Sequence, residues 1–269
     1  MSGLDPRPPP YAVATIHQFL RAHALAEGLD GVVVGLSGGL DSALVARLAR
    51  DALGPEHVLA VQLPDPTFPR DLAAEVDAYC GTLGIEVRTI PIGPIEEAFH
   101  AALPEVRDPI GLGNVKARVR MIVEYANARE RHRLVAGTGN KSELLLGYFT
   151  KFGDGGVDLL PIGDLYKTEV RALGRQLDLP ESILDRAPTA GLWKGQTDEA
   201  ELGFTYAEVD RILYGLEQLR SEAEISEATG TPVARVREVA ARVDRYRHKR
   251  RPPPIPKLGL RTVGIDWRD

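Results

Sequence analysis

A doubly wound, mostly parallel α/β sheet is the fold this sequence predicts, and three observations predict it. Short, almost wholly apolar runs alternate with helical patterns over residues 31–138. The runs lack the apolar-polar alternation of a half-exposed strand, as expected of strands covered on both faces. The first run, GVVVGL (31–36), opens onto SGGLDS (37–42), a glycine turn that leads directly into a helix. Strand-helix alternation of this kind builds parallel sheets with right-handed crossovers.

The elements follow in order. MSGLDPRPPP is a proline-rich lead-in without the apolar stretch of a secretory signal. Residues 11–28 place Ile16, Phe19, Leu20 and Ala24 at helical spacing. After the first strand, the helix over 41–53 puts Leu44, Val45, Leu48, Ala49 and Ala52 on one face. VLAVQL (58–63), EVRTIPI (86–92) and LVAGT (134–138) are the second, third and fourth strands, separated by helical patterns at 70–83, 94–102 and 113–131. Beyond residue 138 no further strand is predicted. A helix starts within 140–147, a Gly/Asp-rich loop KFGDGGVDLLP follows, and helices are expected at 164–178, 205–219, 221–229 and 232–247. The expected organisation is one domain over 1–269, with a sheet core at 31–138 and substrate loops and C-terminal helices at 139–269.

Bulk properties exclude several classes. A chain of 269 residues can bury a sizeable core. A net charge of −5 supplies no basic footprint for duplex nucleic acid. One cysteine rules out a disulfide framework or a cysteine-based zinc site and suits a reducing, cytoplasmic setting. Cys80, inside a predicted helix, reads as a small core residue. No apolar run approaches membrane-spanning length.

The SGGLDS turn carries the chemistry. Open α/β sheets bind ligands at the C-terminal ends of their strands. Gly38 and Gly39 allow a tight turn that exposes main-chain N–H groups without a Cβ in the way. With the free amides of the following helix they form a concave anion site, and Ser37 and Ser42 add hydroxyls. Asp41 would repel a bare phosphate, but it suits a Mg²⁺ ion placed between carboxylate and phosphate. Alone, Asp41 equally suits the positive end of the helix dipole. The loop lacks the Gly-Lys-Ser/Thr ending of a Walker A motif.

SGGLDS resembles the pyrophosphate-binding loop of the ATP pyrophosphatases. GTGNKSE (137–143), YFTKFGDGG, PIGDLYKTEV, APTAGLW and GQTDE, with KAR at 116–118 and HKRRPP at 248–253, resemble the ammonia-dependent NAD synthetase family from about residue 31 to 253. The resemblance implies a Rossmann-like sheet of the adenine nucleotide alpha-hydrolase kind with additional C-terminal helices. It implies a ligase that amidates deamido-NAD⁺ to NAD⁺ with ATP, through an acyl-adenylate, releasing AMP and diphosphate. Carried onto this chain, it places ATP at Gly35, Leu36, Ser37, Gly38, Gly39, Leu40, Asp41, Ser42, Thr138, Lys167 and Thr189. Asp41 and Lys167 are the catalytic pair, and Asp41 and Glu143 hold Mg²⁺. Arg118, Lys151, Asp158, His248 and Lys249 hold deamido-NAD⁺.

Local physics supports some of these roles and leaves plainer ones open. Lys167 falls in the first turn of a helix with Asp164 as its expected cap, where the dipole disfavours a cation by about 0.3–1 kcal/mol. That misplacement suggests a nearby anion. Glu143 also suits a capping arrangement at its helix start. Arg118 and the HKRR run, taken singly, suit a solvated surface. Asp158 is a candidate acceptor for the proton that ammonium must lose. The segment VQLPDPTFPRDL departs from the family pattern, which has an Arg before Leu-Pro and a Gln a few residues later. Gln62 is kept as a lining residue, and Arg70 as a substitute without a definite place. The nitrogen source is expected to be free ammonia or a separate protein, because Cys80 is no glutaminase nucleophile. The FGDGG stretch and GLWKGQTDE (191–199) are expected lids. The resemblance implies a homodimer, with the 113–131 helix and the C-terminal helices as candidate interface elements.

Overall fold

The computed structural model describes residues 3–26, 28–193, 195–263 and 266. Four strands, β1 (Val32–Gly35), β2 (Val58–Gln62), β3 (Glu86–Thr89) and β4 (Leu134–Val135), form a parallel sheet in the order β3-β2-β1-β4. Val32 pairs with Val58 on one side and Leu134 on the other. The predicted third strand ends early, at Thr89, just ahead of Pro91, which has no N–H for a ladder. The sheet also reaches past the point where the sequence suggested strands run out. Leu159 makes a parallel bridge to Ala136. The glycines of KFGDGG concealed this short extended piece among turns.

Twelve helices are described: α1 (Ala12–Ala24), α2 (Leu40–Leu53), α3 (Arg70–Leu83), α4 (Gly93–Ala102), α5 (Pro109–Glu130), α6 (Lys141–Leu146), α7 (Lys167–Gln176), α8 (Glu181–Leu184), α9 (Asp198–Leu202), α10 (Tyr206–Glu217), α11 (Glu222–Thr229) and α12 (Val233–Arg245). Alternate strand residues serve opposite faces. Val32, Val34, Val58 and Ala60 join a core with Leu44 and Leu48 of α2, Val76 of α3 and Leu173 of α7. Val33, Leu59, Val61 and Val135 join one with Val119 and Ala128 of α5. Burying each such side chain is worth about 1.5–3 kcal/mol, which is why both faces of every central strand are apolar. A third cluster gathers Leu146 of α6 with Tyr206, Val209, Ile212, Ile225 and Val239 of the C-terminal helices. Cys80 is buried in α3, and burial pushes its thiol up to about 11.

Two helix starts differ from the prediction, for definite reasons. α5 begins at Pro109, not 113, because the Asp108 side chain accepts from Gly111 N at 2.7 Å and Pro suits the first turn. α7 begins at Lys167, and Asp164 is not its cap. Asp164 stays on the surface, paired with Lys141 at 3.0 Å. The free N–H groups of α7 are met from elsewhere in the chain. Lys167 N donates to Ser142 Oγ at 2.9 Å and Thr168 N to Asp210 Oδ2 at 2.8 Å, while Tyr166 N donates to Glu169 Oε2 at 2.9 Å. Asp210 also accepts from Thr168 Oγ1 at 2.8 Å and Ser142 Oγ at 2.5 Å. One buried carboxylate on α10 therefore ties α6 to the head of α7, and so places Lys167.

Asp210→Ala would leave the donors of Ser142 and Thr168 buried without their acceptor. The expected loss is about 3 kcal/mol of unfolding free energy, read as a lower urea midpoint. Asp210→Asn, which keeps one carbonyl acceptor, should lose less.

Candidate active site

The glycine turn lies at the C-terminal end of β1. Gly38 has φ +78, and a Cβ there would meet Leu72 Cδ1 at 2.4 Å. Gly39 caps α2 in extended conformation. The two serines brace the turn from within. Ser42 Oγ donates to Gly39 O at 2.9 Å, and Gly39 N donates to Ser37 Oγ at 3.2 Å. Outside the turn, Arg186 donates to Gly38 O and to Glu75, which also accepts from Ser182.

Asp41, in the first turn of α2, meets residues almost a hundred positions away and more. Its Oδ1 accepts from Asn140 Nδ2 at 3.0 Å, and its Oδ2 accepts from Lys167 Nζ. Glu143 Oε1 lies 3.4 Å from the same Nζ. Glu143 also completes the capping box of α6, accepting from Asn140 N at 3.2 Å while Glu143 N donates to Asn140 Oδ1 at 3.0 Å. Glu143 thus fills the capping role that the sequence also allowed, while its other oxygen faces Lys167.

Lys167 is only 5 % exposed. Burial alone would lower its pKa, but Asp41 and Glu143 outweigh it and hold the ammonium charged above its ordinary range. The cost falls on Glu143, which burial pushes up to about 8, with Lys167 opposing and Asp41 and Asp198 adding to the rise.

These groups stand in the wall of a cavity of about 1130 Å³, more than a single drug-sized ligand fills. Of the expected ATP residues, Gly35, Leu36, Ser37, Gly39, Leu40, Asp41, Ser42, Thr138, Lys167 and Thr189 all line it. Gly38 does not. Its carbonyl faces Arg186, on the outer side of the turn.

The residues expected to hold the dinucleotide divide. Lys249 is in the cavity wall, with Nζ donating to Gly147 O and Phe149 O, each at 2.8 Å. Arg118 donates to Lys151 O at 3.2 Å, and Lys151 Nζ donates to His248 O at 3.0 Å, so these three form a connected run off the wall. Asp158 stands apart from them. Its Oδ1 accepts from Tyr125 OH at 3.0 Å and its Oδ2 from Val135 N at 2.8 Å. Both oxygens already have donors, which argues against Asp158 as a poised proton acceptor.

Gln62 is corrected from a lining residue to a core one. It is buried in β2, with Nε2 donating to Ala73 O at 3.1 Å. Arg70 is exposed at the head of α3 and takes no place in the wall. The divergent segment contributes Asp65 instead, which accepts from Lys116 Nζ at 2.8 Å and from Thr67 N at 2.6 Å. Burial would raise Asp65, but Lys116 and Thr67 hold it below the usual carboxylate range. Lys116 also donates to Leu192 O at 2.9 Å, tying the GLW stretch over the cavity edge. Lys194, in the same expected lid, lies outside the described residues.

A family model described as NAD synthase matches residues 12–253. The NH(3)-dependent NAD(+) synthetase of Methanosarcina acetivorans is 47 % identical over 246 residues, 90 % of this chain and 96 % of its own.

The chain belongs to the NAD synthase family.

A second relative, the NH(3)-dependent NAD(+) synthetase of Chlorobium phaeovibrioides, is 45 % identical over 256 residues, 94 % of this chain and 91 % of its own. Among solved structures, an NH3-dependent NAD synthetase from Campylobacter jejuni superposes with TM-score 0.77 at 32 % identity, covering 91 % of this chain and 98 % of that one. An NMN synthetase from Francisella tularensis superposes with TM-score 0.80 at 36 % identity, covering 92 % and 98 %. In this member of the NAD synthase family, sequence reasoning missed three contributors to the site: Asn140, Arg186 and Asp198. Asn140 and Asp198 lie inside the GTGNKSE and GQTDE motifs, where a residue-by-residue reading could have weighed them. Arg186 precedes APTAGLW and carries no motif signal.

Gly38→Ala forces a Cβ into the left-handed region and against Leu72, a strain of about 1–3 kcal/mol. The expected result is a KM for ATP raised about tenfold, since the strain is relieved by shifting the turn. Initial-rate kinetics check it.

Proposed function

We propose that this chain is an ammonia-dependent NAD⁺ synthetase that activates the nicotinate carboxylate of deamido-NAD⁺ with ATP and then amidates it. One observation carries the reading. Carboxylates from two distant parts of the chain, Asp41 and Glu143, converge on a single cation beside the glycine turn and the start of α2, in one cavity. The similarity to NH(3)-dependent NAD(+) synthetases over most of both chains supports the substrate class.

The donor set fits magnesium. Two carboxylate oxygens already meet at one cationic point, and magnesium favours one or two carboxylates completed by phosphate oxygens and water. Among the described residues no group of three His, Cys, Asp or Glu could hold a metal, so the remaining donors would be substrate and water. Bound there, magnesium would neutralise phosphate charge. The chain's own groups do the rest. The amides of the 37–42 turn and the ammonium of Lys167 receive the β- and γ-phosphates. A nicotinate carboxylate oxygen attacks the α-phosphorus, the α–β bridging P–O bond breaks, and diphosphate leaves. Ammonia then attacks the acyl carbon, AMP departs with the C–O bonding pair, and the amide nitrogen sheds its extra proton. No protein nucleophile takes part, so alignment and charge stabilisation supply the rate.

The run Arg118–Lys151–His248–Lys249 suits a dinucleotide acid, whose diphosphate extends beyond the ATP half of the cavity. A mononucleotide acid, the amide acceptor that the name of the Francisella tularensis enzyme suggests, would leave the outer part of that run unused. In this reading ATP sits between the 31–138 core and Glu143, Lys167 and Thr189 of the 139–269 half, which also supplies most of the acceptor side. A homodimer through α5 belongs to the same reading, since Ile110 and Ile122 stand exposed on it. No described helix is long and apolar enough to cross a membrane, which accords with a cytoplasmic setting.

With ATP, Mg²⁺, ammonium and deamido-NAD⁺, the protein should form NAD⁺ and AMP in equal amounts, followed by chromatography. Nicotinate mononucleotide should be turned over far more slowly. Asp41→Ala should lose turnover by about a hundredfold or more while keeping the wild-type circular dichroism spectrum. ADP and orthophosphate as products would refute the reading.

A further inference from the structure

One acid in the cavity wall has no part in the chemistry above. Asp198 opens α9 and is 3 % exposed. Its Oδ2 accepts from Tyr206 OH at 3.1 Å. Its Oδ1 is equally buried and has no hydrogen-bond partner, since the nearby Tyr148 hydroxyl, which also acts on this carboxyl, donates to Glu201. A buried carboxylate oxygen without a donor is costly, so this one calls for a donor that arrives later. The cation whose field acts on Asp198 is Lys167. The Lys167 ammonium lies 5.3 Å from the centroid of the same Tyr206 ring whose hydroxyl holds Asp198.

Lys167 is already engaged with Asp41 and Glu143. A divalent cation held by those two carboxylates would need the point the ammonium occupies, and two cations cannot share it. Lys167 must therefore yield when the metal-bearing triphosphate enters. Its backbone cannot follow, because its N–H is fixed to Ser142 at the head of α7. Only the side-chain torsions are free to move the charge. The oxygen left without a donor belongs to Asp198, which also faces the cavity. Asp198 is not itself a third metal ligand with the other two, since no such trio converges among the described residues.

We propose that Asp198 is a positioning residue that receives the Lys167 ammonium when Asp41 and Glu143 pass to the metal, keeping that charge in the cavity and turned toward the departing diphosphate. This inference rests on the magnesium reading of the Asp41–Glu143 pair. The lysine and the metal then compete for the same two carboxylates. Asp198 decides the competition by giving the lysine another anion. Removing its charge leaves Lys167 with Asp41 and Glu143 and weakens the metal.

The test uses the full chain with a nonhydrolysable ATP analogue carrying a methylene between the α- and β-phosphorus. Mn²⁺ is titrated and free Mn²⁺ read by electron paramagnetic resonance, with melting temperatures recorded in parallel without metal. Asp198→Asn, which preserves an acceptor for Tyr206, should weaken Mn²⁺ binding about tenfold, within the usual range for coupled neighbours. Tyr206→Phe should move it in the same direction by less. In a Lys167→Met background, Asp198→Asn should change Mn²⁺ affinity by less than about twofold, because no lysine then needs a second anion. Unchanged Mn²⁺ affinity in Asp198→Asn overturns the inference. An equal loss in the Lys167→Met background also overturns it, by marking Asp198 as a direct ligand. Should Lys167→Met fail to fold, Lys167→Gln supplies the background for the same comparison. A wild-type protein that binds no Mn²⁺, or Asp41→Asn that binds it undiminished, would instead remove the metal reading and the inference with it.

Discussion

The buried ammonium of Lys167 organises this molecule more than any other charge. It is nearly sealed from water, and it is tolerable there only because Asp41 and Glu143 both reach it. Glu143 in turn gains from the lysine, whose charge opposes the rise that burial imposes on its carboxyl. Three chain segments, 41, 140–143 and 167, must therefore arrive together before any of them is stable. The structure meets that demand with polar anchors. Asn140 bonds Asp41, and Ser142 and Asp210 hold the head of α7. The same network stabilises the fold and aims the groups that would handle a triphosphate.

The glycine turn answers a complementary demand, for donors without side-chain bulk. Its shape is imposed from both sides. Inside, Ser37 and Ser42 fold the turn on itself. Outside, Arg186 takes the Gly38 carbonyl and is held in turn by Glu75 of α3. Arg186 is one residue from Ala187 and three from Thr189, both in the cavity wall. A single guanidinium thus relates the position of the turn to that of a second segment expected to contact ATP. Fixing both before substrate arrives reduces the ordering that binding must still accomplish.

What the sequence disclosed follows the range of the interactions involved. α3 ran over 70–83 as read, and α2 began within one residue of its prediction, because apolar spacing and glycine punctuation are local signals. The start of α7 was misread because Asp164 looks like a local cap, whereas the real acceptors lie on α6 and α10. Capping across the fold leaves no mark at the helix it serves. Gln62 was misplaced for a similar reason. Its place just before Leu-Pro suggested the cavity, but β2 turns that side chain inward to Ala73. At the site, the glycine turn and the acids that meet Lys167 fall within motifs the sequence already displayed. Asn140 and Asp198 were hidden in plain view, because a motif match says that a residue belongs without saying what it touches.

Six cations in or near the cavity differ in what they bond. Lys116, Lys167 and Arg186 each pair with a carboxylate: Asp65, Asp41 and Glu75 respectively. Arg118, Lys151 and Lys249 donate instead to backbone carbonyls, and among the described residues none of the three forms an ion pair. A carbonyl fixes a cation's position without cancelling its charge. Beside α2 the charges are held as ion pairs, with Lys167 facing both Asp41 and Glu143. Arg118 and Lys151 keep a charge that no ion pair cancels, while Lys249 has the buried Asp154 close by. In the proposed reading, that difference would let a chain of net charge −5 meet a metal-bearing triphosphate at its ion-paired groups and a second polyanion at the cations held by carbonyls.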